Sequence, residues 1–152
     1  MAYTQTDIIK KWTEQVKEDL IKEYDRLGLR ASGNFEKSLV TFNTDKRAII
    51  YGAKYAYQMQ NGRSAGTYPP RKAIEDWIDA KGLKYDIPKS SLAFLIARKI
   101  FREGIKVPNK YNAGGVISNV ITEQRVQELI DQLRMVNVLQ VSSEIINIIK
   151  AA

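Results

Sequence analysis

Glycine and proline divide the middle of this chain into short elements. Gly62 ends a tyrosine-rich segment, and the adjacent Pro69 and Pro70 close the polar loop that follows it. Glycine commonly ends a helix, and adjacent prolines favour an extended backbone, so the chain is expected to turn at both places. Two short amphipathic helices are then predicted in series, over residues 71–81 and about 91–103.

Each of these two helices is predicted to bury one apolar stripe. In the first, Ile74, Trp77 and Ile78 recur at helical spacing and are expected to face inward. Gly82 and Gly104 are read as the stops of the two helices. The predicted buried stripe of the second helix consists of Leu92, Leu95, Ile96, Ile100 and Phe101.

The N-terminal region predicts a long helix followed by a β-hairpin. Residues 6–27 carry one apolar stripe, with Thr6 as the expected N-cap and Gly28 as the stop. Two runs rich in β-branched and aromatic residues, 39–43 and 47–51, flank a three-residue polar turn, which is typical of a hairpin. The members of the stripe are Ile8 or Ile9, Trp12, Val16, Leu20, Tyr24 and Leu27.

The C-terminal region leaves its secondary structure open. Thr122 opens a further amphipathic helix, but residues 136–141 alternate in polarity like a strand and are equally compatible with a longer helix. The predicted fold class is therefore α+β, in one domain spanning residues 1–152. It comprises an N-terminal amphipathic helix and a small antiparallel sheet, namely the hairpin with or without a C-terminal strand, packed against several short helices.

Composition excludes much of the usual enzyme chemistry. The 152 residues contain neither cysteine nor histidine, which removes thiolate metal sites, disulfides and the commonest general base. The acidic group Glu75, Asp76 and Asp79 is read as a solvated helix face, and the loop 62–67 lacks the Gly-Lys-Ser/Thr ending of a phosphate loop. We expect no enzyme activity, no cofactor and no small-molecule substrate. The chain also lacks an export leader and an apolar run of the roughly 20 residues that span a membrane, so we expect a soluble protein without membrane association.

The net charge of +7 is concentrated in the middle of the chain. Residues 54–110 hold twelve basic and five acidic side chains, so this segment carries the whole excess. Such a surface favours an acidic partner, either nucleic acid or an acidic protein face. A small nucleic-acid-binding protein is the alternative interpretation, because the basic residues are interleaved with aromatic rings that can stack on bases. The aromatic residues are Tyr55, Tyr57, Tyr68, Tyr85 and Tyr111.

The order of motifs in the same segment resembles the minor tail or tail-completion family of long-tailed phages. The Tyr55-Ala56 start, Gly62 and the Pro69-Pro70 pair precede a helix of the form Ile-x-x-Trp-x-x-x-Lys-Gly. A second helix, LAFLIARKIFREG over residues 92–104, matches the family pattern that follows. The resemblance covers about a third of the chain, with a core region of about 6–106. The chain departs from the family pattern after Gly104, where VPNKYNAGG stands in place of the usual Pro-Phe. Residues 107–152 form a longer C-terminal extension that is rich in Ile and Val.

The resemblance implies a structural virion protein at the head–tail junction, made in the host cytoplasm. It implies a ring of identical subunits, six- or twelve-fold, that contacts neck, portal or adaptor and tail proteins and touches passing DNA without specificity. Because ring contacts are head-to-tail, each subunit needs two different surfaces. The first helix's acidic stripe or the Ile-rich C-terminus is the expected second surface, and the loop 109–115 is expected to order only on assembly. The expected first surface comprises Arg63, Tyr68, Pro69, Pro70, Arg71, Lys72, Arg98, Lys99, Arg102, Lys106, Lys110 and Tyr111.

Overall fold

The computed structural model describes residues 4–151, which form helices and one two-stranded sheet. This arrangement confirms the α+β class predicted from the sequence. The helices are α1 (Gln5–Arg26), α2 (Asn34–Ser38), α3 (Ala56–Asn61), α4 (Arg71–Lys81), α5 (Lys89–Glu103) and α6 (Glu123–Ala151). The strands are β1 (Val40–Asn43) and β2 (Ala48–Tyr51).

Helix α1 begins two residues earlier than predicted. Its N-cap is Thr4, whose hydroxyl accepts a hydrogen bond from the backbone N–H of Asp7 at 3.2 Å. The Asp7 carboxylate in turn accepts the backbone N–H of Thr4 at 3.0 Å, which completes a capping box. The predicted cap at Thr6 was therefore wrong, since only Thr4 stands three residues before a carboxylate that can reciprocate. The predicted stripe along this helix is confirmed at Ile9, Val16, Leu20 and Tyr24, which are buried together with Thr13.

The predicted hairpin is confirmed. Strands β1 and β2 pair antiparallel, with Val40 opposite Tyr51 and Asn43 opposite Ala48. A two-stranded sheet is marginal by itself in water, so it needs a packed face. Helix α1 provides that face, and the Thr41 hydroxyl donates to the Glu14 carboxylate of α1 at 2.7 Å.

The main hydrophobic core lies between α1, α2 and the segment that precedes α6. Phe35 of α2, which is 1% exposed, packs against Tyr24 of α1, with ring centroids 4.7 Å apart and planes tilted by 37°. The short helix α2 that carries Phe35 was not predicted from the sequence. Val116 and Val120 also belong to this core, so residues beyond 106 help to hold α1 in place. The buried members are Val16, Leu20, Tyr24, Phe35, Leu39, Val116 and Val120.

Helices α4 and α5 pack together around a second, smaller cluster. Ile74 and Ile78 of α4 meet Ala93 and Ala97 of α5. Two alanines one turn apart present a flat strip on which a neighbouring helix can approach closely. Leu92, Ile96 and Ile100 also pack against this cluster and are partly buried, so the predicted stripe of α5 is confirmed at these three positions. Leu95 was predicted to belong to the same buried stripe, and this was wrong, because its side chain is 50% exposed.

Trp77 was also predicted to face inward and is 43% exposed. Ile74 and Ile78 stand four residues apart and point to the same side of α4, whereas Trp77 is rotated by about 100° from Ile78. Of the three apolar residues predicted to face inward on α4, only Ile74 and Ile78 belong to the cluster with Ala93 and Ala97. The large apolar side chains of both helices are therefore divided between the shared cluster and the surface.

Residues 136–141 continue α6, and the alternative of a C-terminal strand is wrong. The helix has 29 residues and contains neither glycine nor proline, so no local signal ends it. It runs antiparallel to α1. Arg125, near its start, pairs with Asp19 at 2.8 Å, and Asn137 accepts a hydrogen bond from the side chain of Gln5.

Glu23 joins α1 to the turn that precedes α6. Its carboxylate accepts hydrogen bonds from Arg26 at 2.6 and 2.7 Å and from the Asn119 side-chain amide at 2.8 Å. The Arg26 bonds and then the Asn119 bond lower the pKa of Glu23 from 4.5 to about 2. A lowered pKa means that ionised Glu23 stabilises the fold at pH values above 4.5, and that this contribution is lost as the pH falls towards 2.

We therefore expect Glu23→Gln to lower the free energy of unfolding by about 1 kcal/mol at pH 7. The difference from the wild type is expected to shrink as the pH falls from 4.5 to 3, because the wild-type carboxylate then starts to lose its advantage. Urea unfolding at pH 7, 4.5 and 3 measures both effects. Glu18→Gln, at an exposed position of the same helix, is the control and should change the stability at pH 7 by less than about 0.5 kcal/mol. A difference for Glu23→Gln that stays constant over this pH range would contradict the assignment.

Candidate subunit interface

The polar loop 63–70 is fastened to the C-terminal end of α5. Arg63 and Ile105 exchange two backbone hydrogen bonds, both 2.8 Å long. The backbone N–H of Gly66 donates to the carbonyl of Phe101 at 2.8 Å. The amide that a phosphate-loop interpretation would need is therefore already occupied, and the loop instead serves to position residues beside α5.

Two glycines make this close approach feasible. A Cβ on Gly62 would lie 2.2 Å from the carbonyl oxygen of Ile105, and a Cβ on Gly104 would lie 2.3 Å from that of Arg63. Both glycines also have positive φ angles, of 82° and 70°. From the sequence, both glycines were predicted only as the ends of helical segments. We call the two pairs Gly62-Arg63 and Gly104-Ile105 the brace. Within it, each glycine has a tertiary role as well, because it lets the two backbone segments approach closely.

Aromatic stacking and prolines complete the loop. The Tyr68 ring stacks on Phe101 with centroids 4.3 Å apart and planes 10° from parallel. Pro69 is buried, and Pro70 occupies the N-cap position of α4 with an extended backbone. At the start of α4, the Arg71 guanidinium donates to the carbonyl of Ser90 at 3.1 Å. Five of the predicted interface residues are thus brought together with α5, which acts as their support.

Two of the three acidic side chains of α4 form ion pairs. Asp76 pairs with Lys72 at 2.6 Å, and Asp79 pairs with Lys89 at 2.7 Å. The hydrogen bond to Asp76 raises the pKa of Lys72, as expected for an ammonium beside a carboxylate. Lys72, a predicted interface residue, therefore has much of its charge balanced locally.

The basic side chains on the exposed side of α5 differ from Lys72 because they have no acidic partner among the described residues. Arg98, Lys99 and Arg102 are exposed and form no ion pair with any residue between 4 and 151. We call these three residues the cationic face. Phe94 and Leu95, one turn earlier on α5, are 45% and 50% exposed. The cationic face thus lies next to exposed apolar side chains, a combination that is typical of protein interfaces and that periodicity alone did not indicate.

The remaining predicted residues lie outside this helix. Lys106 is exposed just after the brace, whereas Lys110 and Tyr111 belong to the loop 107–115 and contact each other, with the ammonium 4.6 Å from the ring centroid. That loop is attached to α3 by a hydrogen bond from the Asn112 side chain to the carbonyl of Met59, 2.8 Å long. The expectation that it orders only on assembly was wrong, because these bonds and a backbone bridge between residues 109 and 112 already fold it in the single chain.

Other kinds of site have less support in the part of the chain that the structure describes. A groove of about 480 Å³ opens between α1 and α6, and none of its lining residues comes from α4 or α5. Within residues 4–151, the acidic side chains do not form a group of three that can hold a metal ion. None of the described helices combines the length and the hydrophobicity that crossing a membrane requires.

Comparison of the chain with known protein families, with curated proteins and with solved structures gave no match. The observations that bear on the class of protein are therefore the brace, the cationic face and the order of motifs in residues 55–104.

Proposed function

We propose that this chain is a structural subunit of the head–tail connector of a tailed bacteriophage, where it joins the portal or adaptor to the tail as part of a homo-oligomeric ring. The proposal is supported by the motif resemblance of residues 55–104. The single observation that carries it is the cationic face, which a braced loop and a helix pair hold on the surface with exposed apolar side chains beside it.

The brace supports a docking role because it makes the surface rigid before any partner arrives. The loop is tied to α5 by backbone hydrogen bonds and by the Tyr68–Phe101 stack, so little conformational entropy is lost on binding. The cationic face has no described internal acid to satisfy it. Its partner is therefore an acidic surface of a neighbouring virion protein or subunit.

The acidic stripe of α1 is a poorer match for that face. Asp19 pairs with Lys22 and Arg125, and Glu23 pairs with Arg26. These carboxylates are already neutralised within the same chain. A ring that docked the cationic face of one copy on Asp19 or Glu23 of the next would have to break those pairs, so we assign the face to a neighbouring virion protein.

Reversing the charge of the cationic face tests this proposal. We expect Arg98→Glu combined with Arg102→Glu to reduce incorporation of the protein into virions at least tenfold, while the purified protein stays folded because both positions are exposed. Counting tailed particles and measuring the melting temperature give the two readouts. The control is Lys46→Glu combined with Arg47→Glu in the exposed hairpin turn. Full incorporation of the α5 double variant would refute the face as a docking surface.

The same face favours one second candidate, a small nucleic-acid-binding protein, since unpaired cations on a helix can neutralise phosphates. Each phosphate contact contributes about −0.9 to the slope of log affinity against log salt concentration on duplex DNA. Micromolar binding that falls steeply with salt, and that the Arg98→Glu/Arg102→Glu variant lacks, would favour this candidate. Weak binding to DNA together with ring formation would favour the connector subunit.

A further inference from the structure

Helix α6 is longer than the helix on which it packs. Asn137 of α6 lies beside Gln5, the first helical residue of α1. Because the two helices are antiparallel, residues after 137 extend past the beginning of α1. At 1.5 Å per residue, the remaining turns to Ala151 reach about 20 Å beyond it. We call residues 138–150 the distal segment.

The distal segment is apolar and exposed. All of its residues are exposed, and the large hydrophobic ones are between 49% and 69% exposed. Such a concentration on one helix far exceeds the scattered apolar residues of an ordinary surface, and it marks a contact site. The hydrophobic residues are Val138, Leu139, Val141, Ile145, Ile146, Ile148 and Ile149, with Met135 just before them.

Most of these side chains lie on the side of α6 that faces away from α1, whereas Met135 and Leu139 lie at the edge that lines the groove beside α1. Leu133 is half-buried on the α1 side, and Gln140 and Asn147 follow it at intervals of seven residues, on the same side. Val138 and Ile145 are rotated by roughly 140° from that line. The apolar side of the helix therefore changes after Met135. If residues 138–150 served only to continue the packing of α6 on α1, their apolar side chains would lie on the same side of the helix as Leu133.

We propose that the distal segment is a self-association surface, which packs against the same segment of a second copy of this chain. Its apolar residues cover roughly half of the helix circumference, more than the narrow seam of a two-stranded coiled coil needs. The surface is thus wide enough to contact more than one neighbouring copy.

The area is sufficient for a stable contact. Eight exposed apolar side chains at about 100 Å² each offer roughly 800 Å² per chain. This equals the roughly 800 Å² that each partner contributes to an interface of standard size. The groove between α1 and α6, lined by Ile8, Trp12, Met135 and Leu139 among others, adjoins the segment and extends its apolar surface.

Charge also favours a second copy. The chain carries +7, so most of its surface repels another copy. Between Met135 and Lys150 only Glu144 and Lys150 are charged, so two distal segments can meet without placing like charges opposite each other. The same scarcity of lysine and arginine argues against a lipid surface, because interfacial helices carry a strongly basic polar face.

The test compares the unsubstituted chain with two triple variants. Val138→Gln, Ile145→Gln and Ile149→Gln place polar, helix-compatible side chains in the centre of the apolar side. Gln140→Ala, Ser143→Ala and Asn147→Ala change the polar side of the same turns and serve as the matched control. Sedimentation analysis over a range of protein concentrations measures association, and circular dichroism checks that the helix content is retained.

We expect the wild type and the control to associate at micromolar concentration. The glutamine variant is expected to associate at least 100-fold more weakly with the same helix content, because three central apolar side chains are lost from the contact. A wild type that stays monomeric overturns the inference, as does a glutamine variant that associates as strongly as the wild type. Binding to lipid vesicles by a protein that remains monomeric without them also overturns it.

The inference shares with the proposed function the premise that copies associate, and the two fail separately. The Arg98→Glu/Arg102→Glu variant should still associate through the distal segment, since its substitutions lie on α5. If the wild type associates and the glutamine variant does not, the inference is supported. This holds even if the Arg98→Glu/Arg102→Glu variant is fully incorporated into virions, which would refute only the proposed function. Association that depends on Arg98 and Arg102 alone overturns it.

Discussion

Replacing Gly62 with alanine is expected to lower the free energy of unfolding by about 3–5 kcal/mol, enough to unfold a marginally stable domain. Two causes act together. Gly62 has φ 82° and ψ −164°, a conformation that residues with a Cβ rarely adopt. The added Cβ would also lie 2.2 Å from the carbonyl oxygen of Ile105, whose backbone is held by its pairing with Arg63 and cannot move aside without breaking the brace.

Gly82→Ala is the matched control for this prediction. Gly82 also has a positive φ, of 61°, but no atom lies within 4 Å of the position that its Cβ would take. Only the left-handed backbone is then penalised, at about 1–2 kcal/mol. Chemical denaturation of both variants measures the difference. Equal losses for Gly62 and Gly82 would show that the close approach to Ile105 contributes nothing.

Replacing Phe35 with alanine is the second change for which we expect a large effect, about 3–5 kcal/mol of lost stability. The Phe35 ring is 1% exposed and packs on Tyr24, and Val116 of the segment after α5 is buried in the same cluster. Removal of the ring leaves a cavity where three distant parts of the chain meet. The neighbouring side chains are held by α1 and can refill it only in part.

Phe42→Ala tests whether this loss comes from burial. Phe42 has the same side chain but stands on the hairpin at 54% exposure. We expect its removal to cost less than about 1 kcal/mol, because it leaves no enclosed cavity. Thermal or urea unfolding of the two variants gives the comparison. A loss at Phe42 as large as that at Phe35 would contradict the placement of the main core.

Local signals account for the parts of the fold that were predicted correctly. Glycine and proline mark the end of α3, both ends of α4 and the end of α5, because these residues act through their own backbone angles. The start of α5, predicted near residue 91, lies at Lys89 instead. The stripe of α1 was found because a helical period is visible within a single element. The predicted hairpin likewise depends on adjacent segments.

The residues of the candidate interface could be predicted from the sequence only in part. Residues in the loop 63–70 and on α5 were predicted together and are adjacent in the structure. Lys110 and Tyr111 were grouped with them by charge and aromatic content, yet their loop is attached to α3. Composition shows that a segment is basic, but it does not show which cations have acidic partners. That distinction separates Lys72 from Arg98.

The amino-acid sequence by itself determined the α+β class, the order of most of the elements and the location of the excess positive charge. Only the tertiary structure decided that Leu95 and Trp77 are exposed, that Gly62 lies against Ile105, and that α6 extends past α1 with its apolar side outward. Periodicity and turn chemistry act between neighbours in the chain, so they can be read locally. Which apolar face acquires a partner depends on contacts between residues far apart in sequence, and it is settled only when the elements pack.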